Sequence, residues 1–334
     1  MTSFIKRRLK CRITLGARKF RDGSNVMEIS NARLMAEIKI VKGAVQTASI
    51  TIFGLHPENM NSIMTLKQAD STGSNFTKPN IIQLFMIDAI GNELQVYEGQ
   101  IFEALVDYNS APNVPIRIAA QYMTPFMQGA SNNPDQKNNQ KHDGISFKGV
   151  HSVEEIATEI IRRYNESHKD EKQHRLVNEG VDLTLTDYAS LGANLVAEFN
   201  NLKQAKNIEW HFKPTNNDVE IHINVPGQPA QDSSGIVLSR ETGMIGYPVL
   251  TVDGCNVKAL YSPFYSINDI VTVKSIVVKH LVIIDSGKER YSEYSLPEMT
   301  FVSTQMVHRI SSEMPGGPWE TEFMLNRFIP KDNK

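Results

Sequence analysis

Two runs rich in glycine and proline near the carboxyl end constrain the fold of this chain most. The first is Ser239-Arg240-Glu241-Thr242-Gly243-Met244-Ile245-Gly246-Tyr247-Pro248, and the second is Ser311-Ser312-Glu313-Met314-Pro315-Gly316-Gly317-Pro318-Trp319-Glu320-Thr321. Glycine and proline fix the backbone geometry of turns, whereas neither run carries the side chains of a reaction centre. Both runs therefore favour a building block over a catalyst.

A β-hairpin is predicted directly after the first run, with strands at 249–252 and 255–260. Asp253-Gly254 lies between them and suits a type I′ turn, because that turn needs positive φ at both central residues. The residues that we expect to shape the turns of this region are Gly243, Gly246, Pro248, Asp253, Gly254, Pro315, Gly316, Gly317, Pro318 and Trp319.

Apolar and polar side chains alternate in the first third of the chain, which is typical of β-strands with one buried face. The alternation runs through 34–41 and 48–53, and Gly43 separates the two strands. A short helix is predicted over 60–69, and further strands are predicted at 81–89, 93–99, 100–109 and 116–122. Residues 1–122 are thus expected to form an antiparallel sandwich or barrel, because open sheet edges promote aggregation.

The middle of the chain combines helices with strands. Ser152 and Glu155 have the spacing of a capping box, and an apolar helix face follows, formed by Val153, Ile156, Ala157, Ile160, Ile161 and Tyr164. A second helix is predicted to start near Thr186 or Asp187, with strands after it at 208–212 and 218–223. We therefore predict an α+β insertion over 150–235. A linker is predicted at 123–149, because its segment 131–140 lacks large apolar side chains.

Residues 236–334 return to β-structure. Strands are predicted at 270–284, 299–310 and 319–328, and one face of the last strand carries Trp319, Thr321, Phe323 and Leu325. The predicted fold class is accordingly mainly β with a small α+β insertion, in which two antiparallel β-barrel or sandwich domains flank the insertion.

Length and charge narrow the class of protein. A chain of 334 residues exceeds one ordinary core, so two or three domains are expected. The net charge of -2 predicts no broad attraction to DNA or to anionic membranes. No apolar run reaches the ~20 residues that span a bilayer, and the basic segment Met1–Lys10 lacks the apolar stretch of a secretory signal.

No motif of a known reaction or cofactor is found in the sequence. The chain lacks Gly-x-Ser-x-Gly, a phosphate-binding glycine-rich loop and His-Glu-x-x-His, so no catalytic residue, cofactor or metal is predicted. Cys11 and Cys255, the only cysteines, do not have the spacing of metal ligands. They either form a disulfide or remain inert thiols in a reducing compartment.

Two histidines have an alternative interpretation. His211 and His222 are predicted to face each other across one hairpin, and Glu220 is close in sequence. These residue types occur in metal sites. Both histidines alternate with large apolar residues, however, so polar positions on the solvent face of the hairpin explain them better.

Four acidic residues also have alternative interpretations. Glu154 and Glu155 point about 100° apart on a helix, which favours capping and solvation over paired acid–base work. Asp182 and Asp187 flank the predicted start of the second helix, where the helix dipole favours carboxylates. We therefore assign none of them a catalytic role.

The order of β unit, α+β insertion and β unit resembles the hub proteins of bacteriophage baseplates. The matching residues are the turn 243–248 with its hairpin, the run 311–319, and Glu28-Ile29-Ser30-Asn31 before the long strands of the first unit. In hub-like chains a Gly-x-x-Gly-x-Pro turn opens the C-terminal barrel. A segment similar to Ser-Ser-Glu-x-Pro-Gly-Gly-Pro-Trp leads into its closing strand. The resemblance thus implies two tube-like barrel domains, at 1–122 and 236–334.

The resemblance implies a structural role without enzymatic activity. Three subunits are expected to form a homotrimeric ring that adapts a hexameric tail tube protein to a trimeric central spike protein and lines the passage of DNA. Strand edges at 33–41 or 319–328 are expected to join the subunits. Other baseplate proteins are implied as partners, whereas no sequence-specific nucleic acid and no membrane anchor are expected. Such a protein belongs to the tail baseplate of the virion and is made in the host cytoplasm.

Other functions of tail proteins stay open at this point. Residues 1–120 and 236–334 show no internal identity, so the implied duplication survives only in the fold. A tail-associated cell-wall hydrolase would need two converging acids, for which Glu154, Asp182 and Asp187 are the residues to vary. A receptor- or glycan-binding tail protein would cluster exposed aromatic residues on a loop surface. A secretion-system spike base normally continues into a β-helical needle, and no such repeats are found, so a spike is expected to be a separate protein.

Overall fold

Strands dominate the structure of the chain, which is a computed structural model. It describes residues 7–16, 18–64, 80–88, 90–122, 144–167, 173–190, 195–215, 218–229, 235–283 and 289–328. The polar segment predicted at 131–140, and most of the predicted linker, lie outside the described residues.

Seven strands form the front lobe, the name used here for residues 7–122. They are β1 Arg8–Thr14, β2 Val26–Ser30, β3 Leu34–Val41, β4 Thr47–Phe53, β5 Ile81–Ile87, β6 Glu93–Val106 and β7 Pro115–Gln121. The predicted alternation is confirmed, since Leu34, Ala36 and Ile38 of β3 are buried while Glu37 and Lys39 are exposed. Strand β6 runs through both strands predicted at 93–109, because its first half pairs with β5 and its second half with β7.

Helix α1 (Pro57–Ile63) begins at residue 57, whereas the apolar pattern placed its start at residue 60. Pro57 lies in the first turn, where a missing N–H costs nothing, and Nδ1 of His56 accepts a hydrogen bond from the Glu58 N–H at 3.3 Å. The N-terminal cap therefore sets the start of this helix.

The insertion module, defined as residues 144–229, combines two helices with short strands. Its elements are β8 Ile145–Ser146, β9 Val150–Ser152, α2 Val153–Ser167, β10 His174–Asn178, β11 Thr184–Thr186, β12 Ala189–Ser190, α3 Leu195–Lys206, β13 Glu209–Pro214 and β14 Val219–Asn224. The predicted capping box is confirmed. Oγ of Ser152 accepts from the Glu155 N–H, and Oε2 of Glu155 accepts from the Ser152 N–H, both at 3.1 Å. The predicted apolar face of α2 is buried.

The second predicted helix is wrong at its start. Residues 184–186 are strand β11, which pairs antiparallel with β9, and α3 begins only at Leu195. Asp187 has a φ of 52°, and its Oδ1 accepts a hydrogen bond from the Gly149 N–H at 2.8 Å. This tertiary bond fixes a left-handed turn where the local pattern predicts a helical one.

The rear lobe, defined as residues 235–328, contains the remaining strands. They are β15 Ile236–Leu238, β16 Met244–Leu250, β17 Gly254–Leu260, β18 Ile270–Ile283, β19 Glu289–Ser312 and β20 Trp319–Arg327. The predicted face of β20 is confirmed, because Thr321, Phe323 and Leu325 are buried and Trp319 is half-buried.

One sheet of thirteen strands passes through both lobes in the order β15-β18-β16-β17-β20-β19-β3-β4-β7-β6-β5-β1-β2. Strands β3 and β19 join the lobes through eight antiparallel residue pairs, from Leu34↔Ser312 to Val41↔Gln305. The edges predicted at 33–41 and 319–328 are therefore wrong, since β3 and β20 both have neighbours on two sides. In the described part of the chain, this sheet ends at β2 and at β15.

The two lobes close differently. In the rear lobe, β18 pairs with β19 on one side. On its other side it pairs with β16 through Val249↔Lys279 and Leu250↔His280, so the pairings return to their start through β16, β17, β20, β19 and β18. In the front lobe the described strands form an open row from β3 to β2. Among the described residues, the front lobe is therefore open, and the rear lobe closes only through two parallel residue pairs, so neither is a regular antiparallel barrel.

Three hydrophobic cores support this architecture. One fills the front lobe and also takes in Tyr261 and Ile310 of the rear lobe, one fills the insertion module around Phe199 and Trp210, and one fills the rear lobe. The predicted fold class, mainly β with a small α+β insertion, is confirmed. The domain limits at 1–122, 123–149, 150–235 and 236–334 stay a prediction.

Candidate functional site

The first glycine–proline run forms a turn and a bulged strand. The N–H of Met244 donates to the carbonyl of Ser239 at 2.8 Å, and Gly243 reaches a φ of 102° in this turn. Gly246 has a φ of 72°, and the register of β16 against β17 shifts between Ile245 and Val249. Pro248 lies within that shift, where a strand need not donate a backbone hydrogen bond. The run therefore bends β16 as it enters the rear lobe.

The hairpin after this run is confirmed, but its predicted type I′ turn is wrong. Neither Asp253 nor Gly254 has positive φ, and the N–H of Thr251 donates to the Gly254 carbonyl at 2.9 Å, so Val252 and Asp253 are the central residues. Gly254 is the first residue of β17. A Cβ built there would overlap the carbonyl oxygen of Leu325, because β20 approaches closely. Glycine is required here because a neighbouring backbone lies against it. The Asp-Gly pair in the sequence does not indicate this contact.

The second run connects β19 to β20 and places Trp319. Gly316 has a φ of 67°, and a Cβ on Gly317 would overlap Oγ of Ser311, which donates to the carbonyl of Pro318 at 3.0 Å. The ring of Trp319 meets that of Tyr261 edge-on at 5.4 Å. Trp319 also packs against the front core, so this turn helps to hold the two lobes together.

An arginine adds charge to the joint between the lobes. Arg309 of β19 donates through Nε to Oε2 of Glu37 on β3 at 2.9 Å and through Nη1 to Oε2 of Glu322 on β20 at 2.7 Å. Hydrogen bonding to Glu322, and then to Glu37, raises the pKa of Arg309. The guanidinium thus stays charged, and its two ion pairs link the adjacent strands β3, β19 and β20.

Three of the four acidic residues considered for catalysis make structural contacts. Glu155 caps α2, and Oε2 of Glu154 accepts from Nδ2 of Asn178 at 2.7 Å. Asp187 holds Gly149, and together with Asp182 it flanks strand β11 rather than a helix start.

The two histidines of the hairpin face each other as predicted, but their predicted exposure is wrong. His211 of β13 and His222 of β14 form a residue pair, and their rings stack at 4.8 Å. They are 4% and 7% exposed, because the insertion module packs this face against the lobes. No local pattern predicts that burial, since the residues that cover the pair are distant in sequence.

A polar cluster surrounds this pair. Nδ1 of His222 lies 2.6 Å from Oε1 of Glu179, and Nε2 of His222 lies 2.8 Å from Oε2 of Glu220. Oε2 of Glu179 accepts from Nδ2 of Asn268 in the rear lobe at 2.7 Å. Burial, followed by repulsion from His222, lowers the pKa of His211 well below its usual value. No pattern in the sequence predicts the roles of Glu179 and Asn268, which lie far from the hairpin along the chain.

A cavity of about 330 Å³ lies where the three parts of the chain meet. Tyr97 of the front lobe, His211 and Phe212 of the insertion module, and Tyr265 and His308 of the rear lobe are among its lining residues. The cavity reaches the polar cluster through His211.

The cysteines are free and buried in different cores, Cys11 in the front lobe and Cys255 in the rear lobe. Burial raises the pKa of both thiols, that of Cys255 to about 12. Of the two interpretations left open above, the structure supports inert thiols. None of the helices in the described ranges has the length and apolar character needed to cross a bilayer.

Comparison with known proteins finds no matching family and no matching curated protein at the level of sequence. Solved structures are similar in fold. A tail protein from Neisseria meningitidis MC58 matches with a TM-score of 0.52 at 8% identity, covering 96% of each chain. The 43 kDa tail protein of prophage MuSo2 from Shewanella oneidensis matches with a TM-score of 0.50 at 8% identity, covering 96% of this chain and 100% of that one.

A third similar structure comes from a secretion system. The E. coli c3393 protein matches with a TM-score of 0.50 at 11% identity, covering 89% of this chain and 74% of that one. It is described as a component of the type VI secretion system with structural similarity to the tail proteins gp27 and gp5 of bacteriophage T4. The chain therefore has the fold of phage tail proteins, in agreement with its resemblance to baseplate hubs.

Proposed function

We propose that this chain is a structural hub subunit of a bacteriophage tail baseplate and that it has no catalytic role. The observation that carries the proposal is the β3–β19 ladder, whose eight residue pairs merge the two lobes into one sheet. A protein that must hold its shape gains rigidity from such a joint, because relative motion of the lobes would break backbone hydrogen bonds. The fold shared with phage tail proteins supports the same function.

The proposed assembly is a homotrimeric ring. Three chains with two lobes each place six β lobes around a central passage, so a trimer can meet a hexameric tail tube protein on one side and a trimeric central spike protein on the other. The sheet ends at β2 and β15 in the described residues, and a head-to-tail contact between these ends closes a ring after three copies in our proposal.

The remaining features of the proposal concern the passage of DNA and the other proteins of the tail. A net charge of -2 suits a wall along which DNA passes without tight phosphate contacts. In this proposal the subunit is made in the host cytoplasm and becomes part of the tail of the virion. Other baseplate proteins surround the ring there.

The test places a charge on the proposed contact edges. Val26 of β2 and Val237 of β15 are 37% and 42% exposed, so Val26→Lys and Val237→Lys leave the cores intact. A lysine on a pairing edge opposes strand addition. We expect native mass spectrometry to show a trimer for the unaltered protein, and each variant to raise its dissociation constant about tenfold or more.

Val150→Lys is the matched control, because Val150 is an exposed valine of the insertion module. It should leave the trimer unchanged. A monomer at micromolar concentration for the unaltered protein would contradict the proposed ring, as would edge variants that associate like the control. Peptidoglycan cleavage by the same sample would favour the hydrolase, and binding on a glycan array would favour the receptor-binding protein.

A further inference from the structure

The polar cluster of the insertion module has the donor set of a metal site. Glu179, His211 and His222 each offer one ligand atom, and these three atoms lie within 4.8 Å of one another. All three side chains are buried. Two imidazoles and a carboxylate are ligands that zinc and related divalent transition metals accept.

Hydrogen bonds within the protein leave this cluster incomplete. Nδ1 of His211 is buried and has no hydrogen-bond partner among the described residues. A buried polar atom without a partner is costly, so such an atom commonly marks a missing water or ion. Lys42, the nearby buried cation, is engaged elsewhere, because its Nζ lies 2.5 Å from Oε2 of Glu209.

A second layer of side chains orients the ligands. Nε2 of His222 faces Oε2 of Glu220 at 2.8 Å, which leaves Nδ1 as the nitrogen turned toward Glu179. Glu220 is held in turn by Arg175. Asn268 donates to the oxygen of Glu179 that does not face His222. Carboxylate–histidine pairs of this kind fix the ring orientation at metal sites.

We propose that Glu179, His211 and His222 bind one divalent transition-metal ion of the zinc class, which joins β13 and β14 to the segment after β10 and holds Glu179 in place for its hydrogen bond to Asn268 of the rear lobe. Tetrahedral zinc holds its ligand atoms about 3.3 Å apart, given metal–ligand distances near 2.0 Å. The Nδ1–Oε1 pair at 2.6 Å must open, and any pair near the 4.8 Å limit must close, so the proposal requires small side-chain rotations. Binding displaces the proton between Nδ1 of His222 and Glu179 to solvent.

The cavity supplies a route for the ion and for its fourth ligand. His211 belongs both to the cluster and to the cavity wall. Water from the cavity completes the coordination in this proposal. Asn268 of the rear lobe donates a hydrogen bond to Glu179. An ion that holds Glu179 in place therefore also stabilises this contact between the insertion module and the rear lobe.

The test uses the full chain and zinc chloride. After dialysis against zinc and removal of the excess, elemental analysis should find one zinc ion per chain, and the cobalt-loaded protein should show the visible bands of tetrahedral coordination. Saturating zinc should raise the melting temperature by about 5 °C over the chelator-treated protein, because the ion binds the folded state.

His211→Gln and His222→Gln should abolish the bound zinc and the rise in melting temperature. His174→Gln is the matched control, since His174 is a buried histidine of the insertion module outside both the cluster and the cavity wall, and it should keep both. An unaltered protein that binds no zinc at micromolar concentration would overturn the proposal, and this readout needs no variant to fold. Stoichiometric binding that survives in both cluster variants would overturn it as well.

Discussion

The front and rear lobes reach similar strand content by different means. Every described pairing in the front lobe is antiparallel, whereas the rear lobe also uses parallel pairing of β18 with β15 and β16. The return pairing of β16 with β18 rests on two residue pairs. Glycines lie against a neighbouring backbone in both lobes, but the approach is closer in the rear lobe, where a Cβ on Gly254 would overlap the carbonyl oxygen of Leu325. The front lobe therefore relies mainly on its alternating core, while the rear lobe depends more on a few close backbone positions.

Gly254→Ala in the rear lobe should cause the greatest loss of stability. Its Cβ would overlap the Leu325 carbonyl oxygen of the neighbouring strand, so the β17–β20 ladder must shift. We expect the free energy of unfolding to fall by more than about 3 kcal/mol in denaturant titrations.

Gly99→Ala in β6 is the front-lobe counterpart. There the new Cβ meets first the hydroxyl of Tyr97, a buried side chain that borders the cavity, and the Gln121 carbonyl oxygen is also close at 2.8 Å. We expect a loss of about 1–3 kcal/mol, smaller than that of Gly254→Ala. Equal losses would contradict the stated difference between the lobes.

Acid should loosen the rear lobe through His308. Burial lowers the pKa of His308 to about 4, and Nδ1 lies 2.9 Å from Oγ1 of Thr321. The unfolded chain binds this proton near pH 6.5, so stability is complete above that pH and falls by up to about 3 kcal/mol as the pH drops toward 4. Hydrogen exchange at pH 7 and pH 5 should show faster opening of the rear lobe at pH 5.

His308→Gln keeps a hydrogen-bonding group and removes the titration, so it should weaken this acid sensitivity. Asp269, whose pKa burial raises to about 6, gains a proton more readily in the folded state and acts in the opposite direction. The comparison of variant and unaltered protein therefore isolates His308. An unchanged pH dependence in the variant would refute its role.

The smallest expected effects should be equal in the two lobes. Gly54 and Gly246 have φ values of 78° and 72°, and a Cβ at either position meets nothing within 4 Å. Alanine is strained there by backbone conformation alone, so Gly54→Ala and Gly246→Ala should each cost about 1–2 kcal/mol. Thermal unfolding measures both, and a much larger loss at Gly246 would mean that its bulge also controls closure of the rear lobe.

Local sequence patterns predicted the elements well where one physical cause dominates. The alternation of β3 depends on one buried face, and the start of α2 depends on the reciprocal bonds of Ser152 and Glu155. Both signals lie within a few residues of the chain. The resemblance to hub proteins, which depends mainly on two short turn runs, added the expectation that the two β domains are tube-like.

Such local patterns could not predict pairings between residues that are distant in the sequence. Strand β3 lies beside β19, more than 250 residues later in the chain, so its alternation could not distinguish a joint from a free edge. Gly254 was predicted to be a turn glycine because the local sequence does not show that the backbone of Leu325 lies against it. His222 was expected in solvent because its partner Glu179, and Asn268, which donates to Glu179, lie in other segments of the chain.

In the proposed assembly, two joined β lobes per chain let three chains form a ring with six lobes. Electron microscopy of the purified protein, with class averages viewed along the symmetry axis, tests it most directly. We expect threefold particles in which six lobes surround a central hole. Single particles of one chain, or rings that leave no passage between the lobes, would contradict it.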